Sequence, residues 1–194
     1  VQKEIQRKTI FTLLSKPVRR WQLLVGKYFG LLMVLVVNVL VMMAGLWAAL
    51  AISGNSFDAR LWLAAYGVFL EMAVITAVAL LFSSFSTPVV SSLLTLGVFL
   101  ASHLSGGILQ YIETMKRNAK MIPGGQPMPA WFEHLATIMR RVLPDLEMFN
   151  IRNEIVHGLP LDPGYLLWST AHALGWVVAI IAIGSWWFDR RDFL

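Results

Sequence analysis

Gly26-Lys27 is the only Gly-Lys pair in the chain, and such a pair is where a nucleotide-phosphate site would be sought. A phosphate-binding loop also needs a glycine five residues before the first of the pair and a Ser or Thr after the lysine. Backbone N–H groups then cradle the phosphates and a hydroxyl reaches the metal. Trp21 and Tyr28 stand in those two places, so this ATP-binding loop is missing. His103, His134, His157 and His172 have no ligand spacing, and no His-Glu-x-x-His occurs, so no zinc pattern is present. Met115, Met121 and Met128 are too widely spaced for the tight Met repeat of a copper site. Ser102-His103 sets a hydroxyl beside an imidazole, but adjacent residues on a helix face different ways. No Gly-x-Ser-x-Gly elbow is found. Cysteine is absent, which excludes disulfide frameworks and thiolate metal sites. No catalytic residue, cofactor or metal is expected, and the basic residues lack the fold context of a nucleic-acid module.

The elements that would hold these residues are apolar. The chain has 194 residues, 57% hydrophobic and only 14% charged, with eight Trp, four Tyr and eleven Phe. Mean hydropathy is +0.66. A soluble domain has about 45–50% apolar and about 25% charged residues. The solvent is therefore read as lipid, with aromatic belts at two interfaces. Crossing about 30 Å of hydrocarbon takes roughly 20 mostly apolar residues. Residues 31–51, 61–82, 88–109 and 165–188 meet that length. The expected fold is all-α, a polytopic bundle of four transmembrane helices in one domain, 1–194. Residues 52–60 and 83–87 read as short turns, with Pro88 suited to the first turn of the third span. The first residue is Val1 and no signal peptide opens the chain, so it is expected to have been trimmed at its N-terminus.

Charge orients the bundle. Residues 1–30 hold seven basic residues against Glu4 alone, and Arg190 and Arg191 lie near the C-terminus. With four spans both ends share one side, which the positive-inside rule makes the cytoplasm of an inner (cell) membrane. Residues 111–164 carry six basic and six acidic residues and should translocate freely. Polar groups inside the spans are few: Asn38, Glu71 and His103, with His172 nearer an outer end. A lone charge at the bilayer centre is costly and normally faces protein or water. Glu71 is expected to be protonated, or paired with His103 or Asn38. Either a structural interhelical hydrogen bond or a place in a translocation path or proton relay fits it.

The segment before the first span is two short helices broken at Pro17. Residues 4–14 are mostly good helix formers, and Ser15 with Pro17 can start a second helix carrying Trp21, Leu24 and Tyr28 into the membrane. It can serve as a basic anchor on anionic lipid or as a docking piece for a cytoplasmic partner. In the second case Glu4, Arg7 and Arg20 supply polar contacts, and Leu13, Leu14 and Val18 the apolar ones.

Glu4-x4-Thr9-Ile10-x2-Leu13-Leu14-Ser15-Lys16-Pro17-Val18-x-Arg20, followed by Leu24-x-Gly26-Lys27-x2-Gly30, resembles the stretch between the second and third helices of ATP-binding-cassette (ABC) permeases of the type-2 exporter class. The likeness is to stand-alone permeases paired with a separate ATPase, including multi-copper-enzyme-maturation permeases. Phe188-Asp189-Arg190-Arg191-Asp192-Phe193 and Leu143-Pro144-Asp145-Leu146-Glu147-x-Phe149-Asn150 are similar to segments such permeases carry. The resemblance implies spans three to six of a six-span permease, with residues 1–30 as the cytoplasmic coupling segment. It also implies an ABC ATPase subunit as partner, and a second permease copy or homologue. The rival reading is a non-transporting membrane anchor or assembly factor for a cytoplasmic complex; an intramembrane enzyme comes third.

The extracytoplasmic segment, 111–164, is more than linker. Residues 122–129 are a loop rich in Pro and Gly, and residues 130–143 read as an amphipathic helix. Trp131, Leu135, Ile138 and Val142 fall on one side of it, with Phe132 and Met139 beside them. Pro144 ends the helix, and Asp145 or Asn150 is expected to start a short helix ending at Gly158. The amphipathic helix is expected to lie on the outer membrane surface or cap the bundle. The last span, 165–188, leads to a cytoplasmic tail, 189–194.

Overall fold

The computed structural model describes residues 20–56, 58–121, 130–151, 154–155, 159–160 and 162–189. In chain order these form α1 (Arg20–Ile52), α2 (Leu61–Phe85), α3 (Pro88–Met121), α4 (Ala130–Val142), a single 3-10 turn (Glu147–Phe149) and α5 (Tyr165–Asp189). There is no strand among the described residues. α1, α2 and α5 are each long and apolar enough to cross a membrane, and α3 contributes a shorter apolar stretch, Pro88–Leu104. The fold is thus the all-α membrane bundle that composition and span length point to.

The helix ends follow local rules. α1 closes in a Schellman arrangement: Asn55 N–H donates to the Leu50 carbonyl at 3.0 Å and Gly54 N–H to that of Ala51 at 3.3 Å. Gly54 carries the φ of +71° that this turn demands, a conformation costly for a side-chain-bearing residue. At the head of α3, Thr87 Oγ1 accepts from Val90 N–H at 3.5 Å and Pro88 fills the first helical position. Pro88 lacks only a hydrogen that would have no partner there. α3 then departs from expectation. It runs on to Met121 instead of ending near residue 109. The added turns are rich in Glu, Met, Lys, Arg and Ala, and no Gly or Pro interrupts them before Pro123. Between Asp145 and Asn150 the chain makes the 3-10 turn and no α-helix. Of the rest of the short helix expected there, Glu154 and Ile155 are helical, while residues 152–153 and 156–158 lie outside the described residues, as residues 1–19 do.

The chain divides into two compact units, Val1–Thr95 with Phe149–Leu194, and Leu96–Met148. In the first unit α2 packs against both α5 and α1, most extensively against α5, and α1 also touches α5. α2 is buried on two stripes. Gly67, Leu70, Glu71, Val74 and Val78 form one, and Ala73, Ala77, Leu80 and Ser84 the other. Lipid offers no hydrophobic drive between helices, so close approach over small residues and interhelical hydrogen bonds must hold them. Gly67, Ala73 and Ala77 supply the small positions.

Pair contacts fix direction. Tyr66 near the start of α2 meets Thr170 near the start of α5, and Leu81 near the end of α2 lies by Gly184 near the end of α5. These two helices are parallel. Leu24, early in α1, lies by that same Gly184, and Met43, late in α1, lines a groove with Ala64 and Ala65 of early α2. α1 is therefore antiparallel to both. The start of α1 and the ends of α2 and α5 share one end of the unit, where Phe85 stacks on Trp187 at 5.9 Å.

The second unit holds α4 and most of α3. Ser102, Ile112 and Leu146 are buried there, while Trp131, Ile138 and Val142 of α4 are exposed.

Candidate functional site

Glu71 sits near the middle of α2, on the buried stripe, with only 4% of its surface exposed. It has an interaction partner. A carboxyl group in that position is held by protein, not by lipid. The helix that carries it is fixed by two tyrosines. Tyr28 of α1 donates to the Ala73 carbonyl at 3.2 Å, a buried bond. Tyr66 Oη and Thr170 Oγ1 are hydrogen-bonded at 2.9 Å, tying α2 to α5. Each joins helices distant in sequence, as side-chain hydrogen bonds in a bundle do.

Phe149 closes the other end of the first unit. Its carbonyl oxygen lies so close over Gly67 that a side chain there would collide with it. Its ring lies 6.1 Å from that of His172, which in turn lies 6.4 Å from Trp176. His172 Nε2 is buried with no hydrogen-bond partner among the described residues. The Leu143–Asn150 motif thus delivers Phe149 onto the one position of α2 where only glycine fits.

The other polar candidates have different settings. Asn38 is exposed halfway along α1. His103 belongs to the second unit and is half-buried, its ring 4.8 Å from Phe99. Arg20 is the first residue of α1. Glu4, Arg7, Leu13, Leu14, Pro17 and Val18 lie outside the described residues.

Among the grooves on the first unit, two bear on the site. One, about 440 Å³, is apolar and runs between α1 and α2 past Met42, Met43, Leu46, Ala64 and Val68. The other, about 620 Å³, lies at the basic end and includes Lys27, Ser83 and Ser92. No group of three or more His, Cys, Asp or Glu that could hold a metal is found among the described residues. The sequence pointed to Tyr28 on the first helix and to Phe149 in its motif but gave neither a packing partner, and it did not single out Tyr66 or Gly67. Two tyrosines placed well inside long apolar stretches were the available signal, since a buried phenol seeks a partner.

A family model described as ABC-2 family transporter protein matches residues 1–193. No curated protein and no solved structure matches the chain.

Proposed function

We propose, from the premise that this chain belongs to the ABC-2 family of transporter proteins, that it couples ATP hydrolysis on a separate subunit to export of a substrate across the cell membrane. Membership makes the chain a multi-pass membrane permease component of an ABC transporter, in a system that includes an ATPase. Coupling through residues 1–30, export as the direction, and the roles of single residues are our reading.

The observation that carries it is the continuity of α1. From Arg20, the last of the docking residues, one helix runs without a break to Ile52. An α-helix of 33 residues is about 50 Å long. A displacement applied at its basic end is therefore delivered to the far side of the bilayer. Residues 4–20 dock in a groove on the ATPase, Leu13, Leu14 and Val18 being the apolar anchors and Glu4, Arg7 and Arg20 the polar rim. Pro17 lets the docking piece lie along the membrane while α1 rises into it. The lack of an ATP-binding loop around Lys27 supports a separate ATPase. A second permease copy or a homologue completes the path, and Glu71 either lines it or braces the helices beside it.

Charge and the parallel pair support the orientation we propose. α2 ends at the basic end of its unit, and α5 begins at the opposite end. The intervening chain has to regain the far side, and we assign a fourth crossing to it; its shorter apolar stretch, Pro88–Leu104, supports that reading. Four crossings then set both ends of the chain in the cytoplasm, with 111–164 outside.

Leu14→Asp and Arg7→Ala test the docking. Buried apolar anchors carry more than rim charges at such contacts, typically about 2 kcal/mol or more against less than about 1. Leu14→Asp should cut co-purification with the ATPase at least tenfold and uncouple its activity, while Arg7→Ala changes both less than about fivefold. If Leu14→Asp folds and leaves assembly and coupling intact, the segment is a lipid anchor only.

A further inference from the structure

The groove at the basic end of the first unit is graded along the helix axes. At its mouth stand Lys27 of α1 and Ser83 of α2, with Ser92 from the second turn of α3. α1 and α2 are antiparallel, so successive lining positions go inward from there along both helices. Leu31 and Val34 follow Lys27, and Leu80 precedes Ser83. Val34 is seven residues beyond Lys27, which places it about 10 Å deeper. The cavity is about 620 Å³, and no acidic residue lines it among the described residues. Trp187 and Phe85, stacked at the same end, set its mouth at the depth where aromatic belts meet headgroups.

We propose that this groove binds one anionic phospholipid of the bilayer, its headgroup phosphate against Lys27 and Ser83 and one acyl chain along Leu31, Val34 and Leu80. Lys27 is half-buried, and its apolar stem lets the ammonium bend toward the headgroup layer. Ser83 offers a hydroxyl donor, and the positive end of the α3 dipole adds to the attraction. Cation and apolar slot stand in the order in which a lipid presents phosphate and chain. Among the described lining residues no carboxylate meets the ammonium of a choline or ethanolamine headgroup, so the anionic class is favoured. The inference holds whichever way the protein faces and does not depend on the transport reading.

The test uses the whole chain purified in detergent, stripped of lipid, and read by native mass spectrometry and thermal unfolding. The additions are phosphatidylglycerol, phosphatidylcholine, or inorganic phosphate at equal phosphate concentration. Phosphatidylglycerol should be retained as one saturable copy and should raise Tm. Phosphatidylcholine should be retained at least fivefold less, and inorganic phosphate should leave Tm unchanged. Lys27→Ala should weaken phosphatidylglycerol retention about fivefold, the usual weight of one basic residue at an anionic surface. Gly30 borders the groove, and a Cβ built there meets nothing within 4 Å. Gly30→Leu therefore fills the acyl slot without altering charge, and separates this site from general attraction to the basic N-terminal segment. It should abolish the tightly held copy. Wild-type retention in Gly30→Leu, equal retention of both lipids, or stabilisation by inorganic phosphate alone each overturns the proposal. Should Lys27→Ala fail to fold, Gly30→Leu decides.

Discussion

At the scale of single residues, two buried glycines make opposite forecasts from the same substitution. A Cβ on Gly67 runs into the carbonyl oxygen of Phe149, a backbone atom that cannot turn aside. Gly67→Ala should cost about 1–3 kcal/mol, the usual toll of overpacking. A Cβ on Gly184 meets Leu81 Cδ1 at 3.4 Å and Leu24 Cδ2 at 3.5 Å, ordinary contact with movable side chains. Gly184→Ala should be neutral or stabilise by about 0.5 kcal/mol through helix propensity. Thermal unfolding in detergent compares the two, and equal losses would show that Phe149 does not pin α2. Glu71 invites a second pair. Glu71→Gln keeps shape and hydrogen bonding and should be mild in both folding and transport. Glu71→Leu leaves the partner group unsatisfied and should be the worse, by about 1–3 kcal/mol. Wild-type folding and transport in both variants would remove any role for this side chain. Glu71 stood out in the sequence as the one charge in its span, but nothing there joined Gly67 to Phe149, more than eighty positions away.

At the scale of elements, the apolar helices were legible because membrane spans need length and little else. What hydropathy hides is rank. α1, α2 and α5 look alike as sequences, yet α2 is buried on two stripes while α1 presents most of its residues outward. Small residues at Gly67, Ala73 and Ala77 were the clue to the central helix. The overrun of α3 to Met121 was missed because polarity was read as the end of the helix. Good helix formers continue past the apolar stretch, and polarity ends a span without ending a helix. α4 was anticipated within one residue at its end, its Trp131, Ile138 and Val142 exposed on one side. We propose that a short helix with that face lies in the headgroup layer. In nanodiscs, a spin label on Ile138→Cys should be more accessible to oxygen than to a polar relaxing agent. Water-like accessibility would take α4 off the membrane.

At the scale of the molecule, topology is open to direct labelling because the chain has no cysteine of its own. In intact cells an impermeant thiol reagent should modify Asn55→Cys and Gln126→Cys but not Leu194→Cys. Labelling of Leu194→Cys would overturn the four-crossing arrangement and the cytoplasmic placing of the coupling segment with it. The parallel packing of α2 on α5 has one more consequence, and it concerns birth, not the finished state. Roughly 80 residues separate the end of α2 from the start of α5. At about 5–20 residues per second the ribosome takes about 4–16 s to supply them. Through that interval α1 can enter the bilayer unaided, since it has no acid along its length. α2 carries Glu71 and has only one of its two eventual neighbours. An acid near the centre of a span opposes insertion by about 2.5–3.5 kcal/mol. The helix most enclosed among the three long spans is thus the one that meets the bilayer in the nascent chain with the largest cost still uncovered.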